Sequence, residues 1–232
     1  MSYIKKWLYY FDNNGKKDFR NKLSVKHKSL IKAVIKIIFF INRRRLVIVL
    51  SNGKAGSSAV LDALNKSGLP VFQLHEVDIN RIREHVGSNL RSRKKAVPLH
   101  LLVSQVFIES KFIDYSKVRY IVIYRNDPAQ NLSAMFQNYD MYDHANLKSI
   151  EFCKNEMQKI HKDNIEWEGN ILQWLSWNTV QSEVINLNYS ESDSWSSTLS
   201  EYFEREILVY RMNVGEQKFY NKEYSYMKSQ IL

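Results

Sequence analysis

Leu46-Val47-Ile48-Val49-Leu50 is an apolar, largely β-branched run that breaks off into Ser51-Asn52-Gly53-Lys54-Ala55-Gly56-Ser57-Ser58. The run reads as a buried strand, and the residues after it as a small turn at the strand's carboxyl end. Such a turn suits an anion. Gly53 and Gly56 let backbone N–H groups approach, Lys54 adds positive charge, and Ser57 and Ser58 add hydroxyl donors. Ala59 to Leu64 then begins a helix whose N-terminus favours negative charge. The expected ligand is a nucleotide or a similar phosphate ester. The lysine stands before the second glycine, not after it, so the loop departs from the nucleoside-triphosphate signature G-x-x-x-x-G-K-[ST], and simple ATP or GTP hydrolysis is disfavoured.

Beyond this turn, strands and helices alternate. The first helix runs to about Lys66 and is stopped by Ser67-Gly68-Leu69-Pro70. A strand is predicted over 71–74, polar Arg-rich sequence over 78–95, a short apolar strand over 96–101 and a helix over about 103–112. A further strand, Val118 to Tyr124, ends at Arg125, and Asn126-Asp127-Pro128 has the form of a helix start with Asp127 as cap and Pro128 in the first helical position. Residues 147–181 read as one or two helices and 184–189 as a last strand. This order argues for an α/β fold with a mostly parallel sheet covered by helices on both faces. With 232 residues, 44% hydrophobic and 13% aromatic, the chain can bury one full core, and the expectation is a single α/β domain over residues 46–232.

The charge is unevenly placed. Residues 1–45 hold 13 Lys and Arg against Asp12 and Asp18, a net of +11, while residues 46–232 carry 21 basic and 22 acidic residues, a net of −1. Residues 1–45 therefore read as a basic helical N-terminal extension, with an amphipathic helix over 29–42 followed by Arg43-Arg44-Arg45. Two readings stand side by side: a peripheral contact with an anionic membrane or acidic polymer, and a solvated helix packing its apolar stripe on the domain. Nucleic acid ranks below both, because the rest of the chain has no basic excess and no recognition motif. The apolar stretch 30–41 is interrupted by Lys32 and Lys36 and is shorter than the roughly 20 residues that cross a bilayer. A single cysteine, Cys153, and no signal-peptide pattern point to a reducing, cytoplasmic location.

Arg125 closes a strand and Ser133 follows eight residues later on the next helix. This brings a planar, bidentate cation and a hydroxyl to the same end of the sheet as the first loop and makes a second phosphate site. Together, Gly53-Lys54-Ala55-Gly56-Ser57-Ser58 and Arg125 with Ser133 resemble the two nucleotide motifs of sulfotransferases that use 3′-phosphoadenosine 5′-phosphosulfate (PAPS). The resemblance spans roughly residues 46–205. It implies a P-loop-like sheet architecture in which Lys54, Gly56, Ser57 and Ser58 hold the 5′-phosphosulfate and Arg125 and Ser133 the 3′-phosphate. Residues 98–104 look like the stretch bearing the family's catalytic histidine, here His100. Trp174 through Tyr189 looks like the family's helix and final strand, with Tyr189 placed to touch the adenine or to pack as an ordinary strand aromatic.

Two departures stand out. The proline that the family has two residues after the arginine is displaced to Pro128, and its glycine-rich C-terminal element is absent.

The implied activity is O-sulfation: a sulfuryl group passes from PAPS to an acceptor hydroxyl, leaving 3′,5′-bisphosphoadenosine (PAP), with no metal required. Lys54 would stabilise the leaving oxygen and His100 would take the acceptor's proton, with His75 and Glu76 as competitors for that role. His27, His85, His144 and His161 sit in polar stretches and read as incidental. The acceptor expected is a carbohydrate, as glycan or glycolipid. A P-loop kinase and a non-catalytic scaffold binding membrane or polyanion are the alternatives. Neither H-E-x-x-H nor paired cysteines supply metal ligands, G-x-G-x-x-G is missing, and Ser104 has no nucleophile elbow around it. Trp167, Trp174 and Trp177 have helical spacing and read as a core face ahead of a sugar platform.

Overall fold

The computed structural model describes residues 28–53, 55–91, 99–137, 149–179, 183–210 and 221–232. The described elements are α1 (Lys28–Asn42), β1 (Val47–Ser51), α2 (Ser57–Lys66), β2 (Val71–Leu74), α3 (Ile79–Arg91), α4 (Leu99–Glu109), β3 (Arg119–Tyr124), α5 (Pro128–Gln137), α6 (Ile150–Asn178), β4 (Val184–Asn188), α7 (Trp195–Phe203) and α8 (Asn221–Ile231). They fall into two compact units. One draws on residues 28–44 and 74–114, the other on 45–73 and 115–232. One boundary thus falls where the basic segment ends, but the unit containing α1 also takes in α3 and α4.

The second unit is built on an all-parallel, four-stranded sheet flanked by helices, in the order β2-β1-β3-β4. All five residues of β1 are buried, as an unalternating apolar run requires of a strand covered on both sides. Val47 and Val49 of β1, Ile121 and Ile123 of β3 and Leu187 of β4 face one core with Val60, Ala63 and Leu64 of α2 and Trp195, Leu199 and Phe203 of α7. The alternate residues Ile48, Leu50, Tyr120 and Val122 are fully buried too, and the Tyr120 ring meets Trp174 of α6 edge to face at 5.8 Å. A smaller core joins Leu132, Met135 and Phe136 of α5, Cys153 and Met157 of α6 and Met227 of α8.

The other unit is helical. α1 and α3 both pack on α4, and Phe39 of α1 meets Phe107 of α4 edge to face at 5.8 Å. Asp78 starts α3, its Oδ1 accepting from the Asn80 N–H at 2.8 Å. Among the side chains described, Ile82 and Val86, about one helical turn apart, are its buried residues.

Two sequence expectations are corrected here. Residues 79–91, expected as irregular polar sequence, form α3; the Asp78 cap and the spacing of Ile79, Ile82 and Val86 outweigh the surrounding charges. Residues 99–101, expected as the end of a strand, open α4, and residues 96–98 of that expected strand lie outside the described residues. Residues 101 to 107 are all buried, so the run shows no helical period, and a short apolar run does not distinguish strand from helix. Of the stretch 147–181, Ile150–Asn178 form one helix, α6, whose N-cap Ser149 accepts from the Phe152 N–H; 147–148 and 180–181 lie outside the described residues.

Candidate functional site

The parallel register decides which side chains meet. Ser51 lies opposite Ile123 and Tyr124 opposite Asn188. The residues immediately beyond the strands, Asn52, Arg125 and Tyr189, therefore emerge at one edge. Because β1 is flanked by β2 on one side and β3 on the other, the loops after β1 and β3 diverge where the strand order reverses, the place where open parallel sheets bind ligands.

The loop after β1 turns sharply into α2. Gly56 has φ +85°, the left-handed region that glycine enters without a Cβ penalty, and caps α2. A Cβ there would lie 3.1 Å from the Trp195 ring and 3.5 Å from Tyr189, so a side chain is excluded by contact as well as by backbone angle. α2 then opens with backbone N–H groups that have no intrahelical acceptor. Gln73 of β2 donates from Nε2 to Ser51 Oγ at 3.0 Å and to Ser57 Oγ at 2.6 Å. The Ser57 hydroxyl accepts from Gln73 through one of its two lone pairs and keeps its O–H to donate. Ala55 is buried and Ser58 exposed. Lys54 lies outside the described residues, as do His27, His144 and residues 1–27.

A lattice of amides ties this loop to the end of β3. Asn52 Nδ2 donates to the Arg125 carbonyl at 3.0 Å, and Gln130 Nε2 to the Gly53 carbonyl at 2.6 Å. Asn164 of α6 donates to Gln130 Oε1 at 3.3 Å and to Asn131 Oδ1 at 3.0 Å. Among the described residues, Asn52 Oδ1 is buried without a hydrogen-bond partner. An unpaired buried acceptor at a loop edge is the kind of group that a ligand donor satisfies.

Arg125 is held on two sides. Its Nε donates to Asp127 Oδ2 at 2.8 Å, and its guanidinium lies over the Tyr189 ring, 3.7 Å from the centroid. Asp127 also caps α5, Oδ1 accepting from the Gln130 N–H at 2.7 Å. Burial works to raise the Asp127 pKa, but the bonds from Arg125 and Gln130 and the charge of Arg125 outweigh it and hold the carboxyl below its ordinary value. The cation expected to meet a phosphate thus has a carboxylate on one edge. Gly56 and Tyr189, picked out separately in the sequence, both lie against Trp195, whose Nε1 donates to the Asn188 carbonyl at 3.0 Å, and Arg125 joins them through the Tyr189 ring. Ser133 sits half-buried further along α5.

The histidines of interest lie in the helical unit. His100, in the first turn of α4, meets His75 edge to face with centroids 4.9 Å apart. Burial, with the charges of His75 and His85 adding to it, pushes His100 down to about 3. Glu76 Oε1 accepts from the N–H groups of Val77 at 2.8 Å and Asp78 at 2.9 Å, which occupies that carboxylate oxygen in shaping the approach to α3.

Sequence reasoning missed Asn52, Gln73, Gln130, Asn164 and Trp195. His161, read as incidental, pairs through Nδ1 with Asn126 Oδ1 at 2.8 Å. Of the three tryptophans read as a core face, Trp167 is buried, Trp174 packs between Tyr115 and Tyr120, and Trp177 is exposed. No group of three or more His, Cys, Asp or Glu able to hold a metal occurs among the described residues. Comparison with protein-family models, with curated proteins and with solved structures returns no match to this chain.

Proposed function

We propose that this protein is a PAPS-dependent O-sulfotransferase acting on a carbohydrate hydroxyl. The observation that carries the nucleotide half of this reading is the joined edge: a left-handed Gly56 turn opening α2, linked through Asn52 and Gln130 to Arg125, with Tyr189 stacked on the guanidinium. Such an edge offers two anion sites, one at the loop and one at the arginine. That pattern fits an adenosine 3′,5′-bisphosphate better than a linear triphosphate. The choice of a sulfuryl donor, and of a carbohydrate acceptor, rests on the resemblance of the two motifs.

When bound, PAPS supplies the sulfuryl group, and the chain's part is to position and to stabilise charge. The loop N–H groups and the Ser57 and Ser58 hydroxyls hold the 5′ side, Arg125 the 3′-phosphate, and Lys54 meets the charge that grows on the leaving oxygen. His100 is the proton acceptor carried over from the resemblance. With a pKa of about 3 it is neutral at neutral pH, though a weak base. In a loose transition state the acceptor oxygen bonds late, and once bonded to sulfur its proton is acidic enough for a weak base to take.

Thermal melting with PAP and with ATP·Mg²⁺ tests the reading. At a hundredfold excess over Kd, PAP is expected to add about 2.7 kcal/mol of apparent stability. Stabilisation by ATP·Mg²⁺ but not by PAP would favour a kinase and overturn the proposal.

A further inference from the structure

Helix α1 has two apolar stripes, and among the described residues only one is buried. Ile35, Ile38 and Phe39 are buried with Asn42. On the opposite side Leu30, Ile37, Phe40 and Ile41 are 59%, 55%, 51% and 56% exposed. At about 100° per residue, these four and Ala33 fall within roughly 100° of the helix circumference with no charged residue among them. The border is basic and aromatic. Lys36 is exposed beside the stripe, Arg43 lies over the Phe40 ring at 4.3 Å, Phe40 meets Phe112 edge to face at 5.7 Å, and exposed Arg44 and Arg45 follow directly.

We infer that the outward stripe of α1 docks in the interfacial layer of an anionic bilayer, the helix lying in the membrane plane. Charge selects this occupant. The segment 1–45 carries a net +11, which an anionic lipid surface attracts, whereas a second copy of the chain would bring the same basic segment against itself. An apolar stripe of this width with a basic border is the pattern of a helix that lies on a membrane. No helix among the described residues is long and apolar enough to cross a bilayer. The inner stripe, packed on α4, holds α1 folded before it meets lipid, so docking does not have to nucleate the helix.

Co-sedimentation of the full chain with vesicles of phosphatidylcholine alone, and with 30% phosphatidylserine added, tests the inference. Binding is expected to the anionic vesicles only, and to weaken as salt rises. I37E/I41E, at two exposed positions, should lower it at least tenfold while leaving the melting temperature and its PAP-induced shift unchanged. R44A/R45A should lower it by about 30-fold, at roughly fivefold per basic residue. Equal binding by wild type and I37E/I41E, or no binding of wild type to anionic vesicles, overturns the inference. So does a concentration-dependent dimer that I37E/I41E abolishes without a change in lipid binding. The PAP shift reports separately on the nucleotide edge, so failure of one proposal is distinguishable from failure of the other.

Discussion

Asp127 performs two tasks at one point: it caps α5 and it occupies one edge of Arg125. Asp127→Asn separates them, because asparagine caps a helix about as well as aspartate but brings no negative charge beside an incoming phosphate. PAP is expected to bind about 2- to 5-fold tighter to Asp127→Asn by calorimetry, the scale of a partly exposed ion pair worth up to about 1 kcal/mol. Weaker binding would mean that the carboxylate aligns the guanidinium and does not compete for it. His100 makes a prediction of a different kind. Its folded pKa is depressed to about 3, while the unfolded chain takes up the proton near 6.5. Between these values the unfolded state binds more protons. The stability held by neutral His100 is therefore fully present above pH 6.5 and is lost as pH falls toward 3, with a slope of up to about 1.4 kcal/mol per pH unit. Urea unfolding of wild type and His100→Asn at pH 7, 6 and 5 should show this slope only in wild type; parallel curves would contradict it.

Among the elements, the junction between β1 and α2 is the most tightly specified. Gly56→Ala places a Cβ in a left-handed backbone and against Trp195, which is itself buried and hydrogen-bonded to Asn188. A loss of about 1–3 kcal/mol in denaturant unfolding is expected, together with a weaker PAP-induced shift; a neutral substitution would show that the turn is not constrained as described. Elements of this kind are legible in a sequence because their signals are local. An unbroken apolar run gives β1, Gly68 ends α2, and Asp127-Pro128 starts α5, each within a few residues. The helix over 103–109 is legible, but the start of α4 at 99–102 is not, since a short apolar run does not distinguish strand from helix, and α3 is hidden because its charges obscure three well-spaced apolar residues. The amide lattice is invisible for a third reason. Asn52 reaches a carbonyl 73 positions away and Gln130 one 77 positions away, and single amides carry no pattern that announces such contacts.

At the scale of the whole molecule, the chain divides its chemistry. The sheet unit carries the nucleotide-like edge, the helical unit carries the histidine pair and the outward stripe of α1, and the excess positive charge sits in residues 1–45. The central claim is that the sheet edge holds two phosphates at separable places. Calorimetric titration of wild type and Arg125→Ala with PAP and with adenosine 5′-phosphate measures this directly. Arg125→Ala is expected to cost about 1.5–3 kcal/mol of PAP affinity, the range for hydrogen bonds to charged groups, or roughly 10- to 150-fold. Its affinity for adenosine 5′-phosphate, which lacks the 3′ group, is expected to match that of wild type. Equal losses for both nucleotides, or no loss for either, would contradict the assignment of a separate 3′-phosphate site at Arg125.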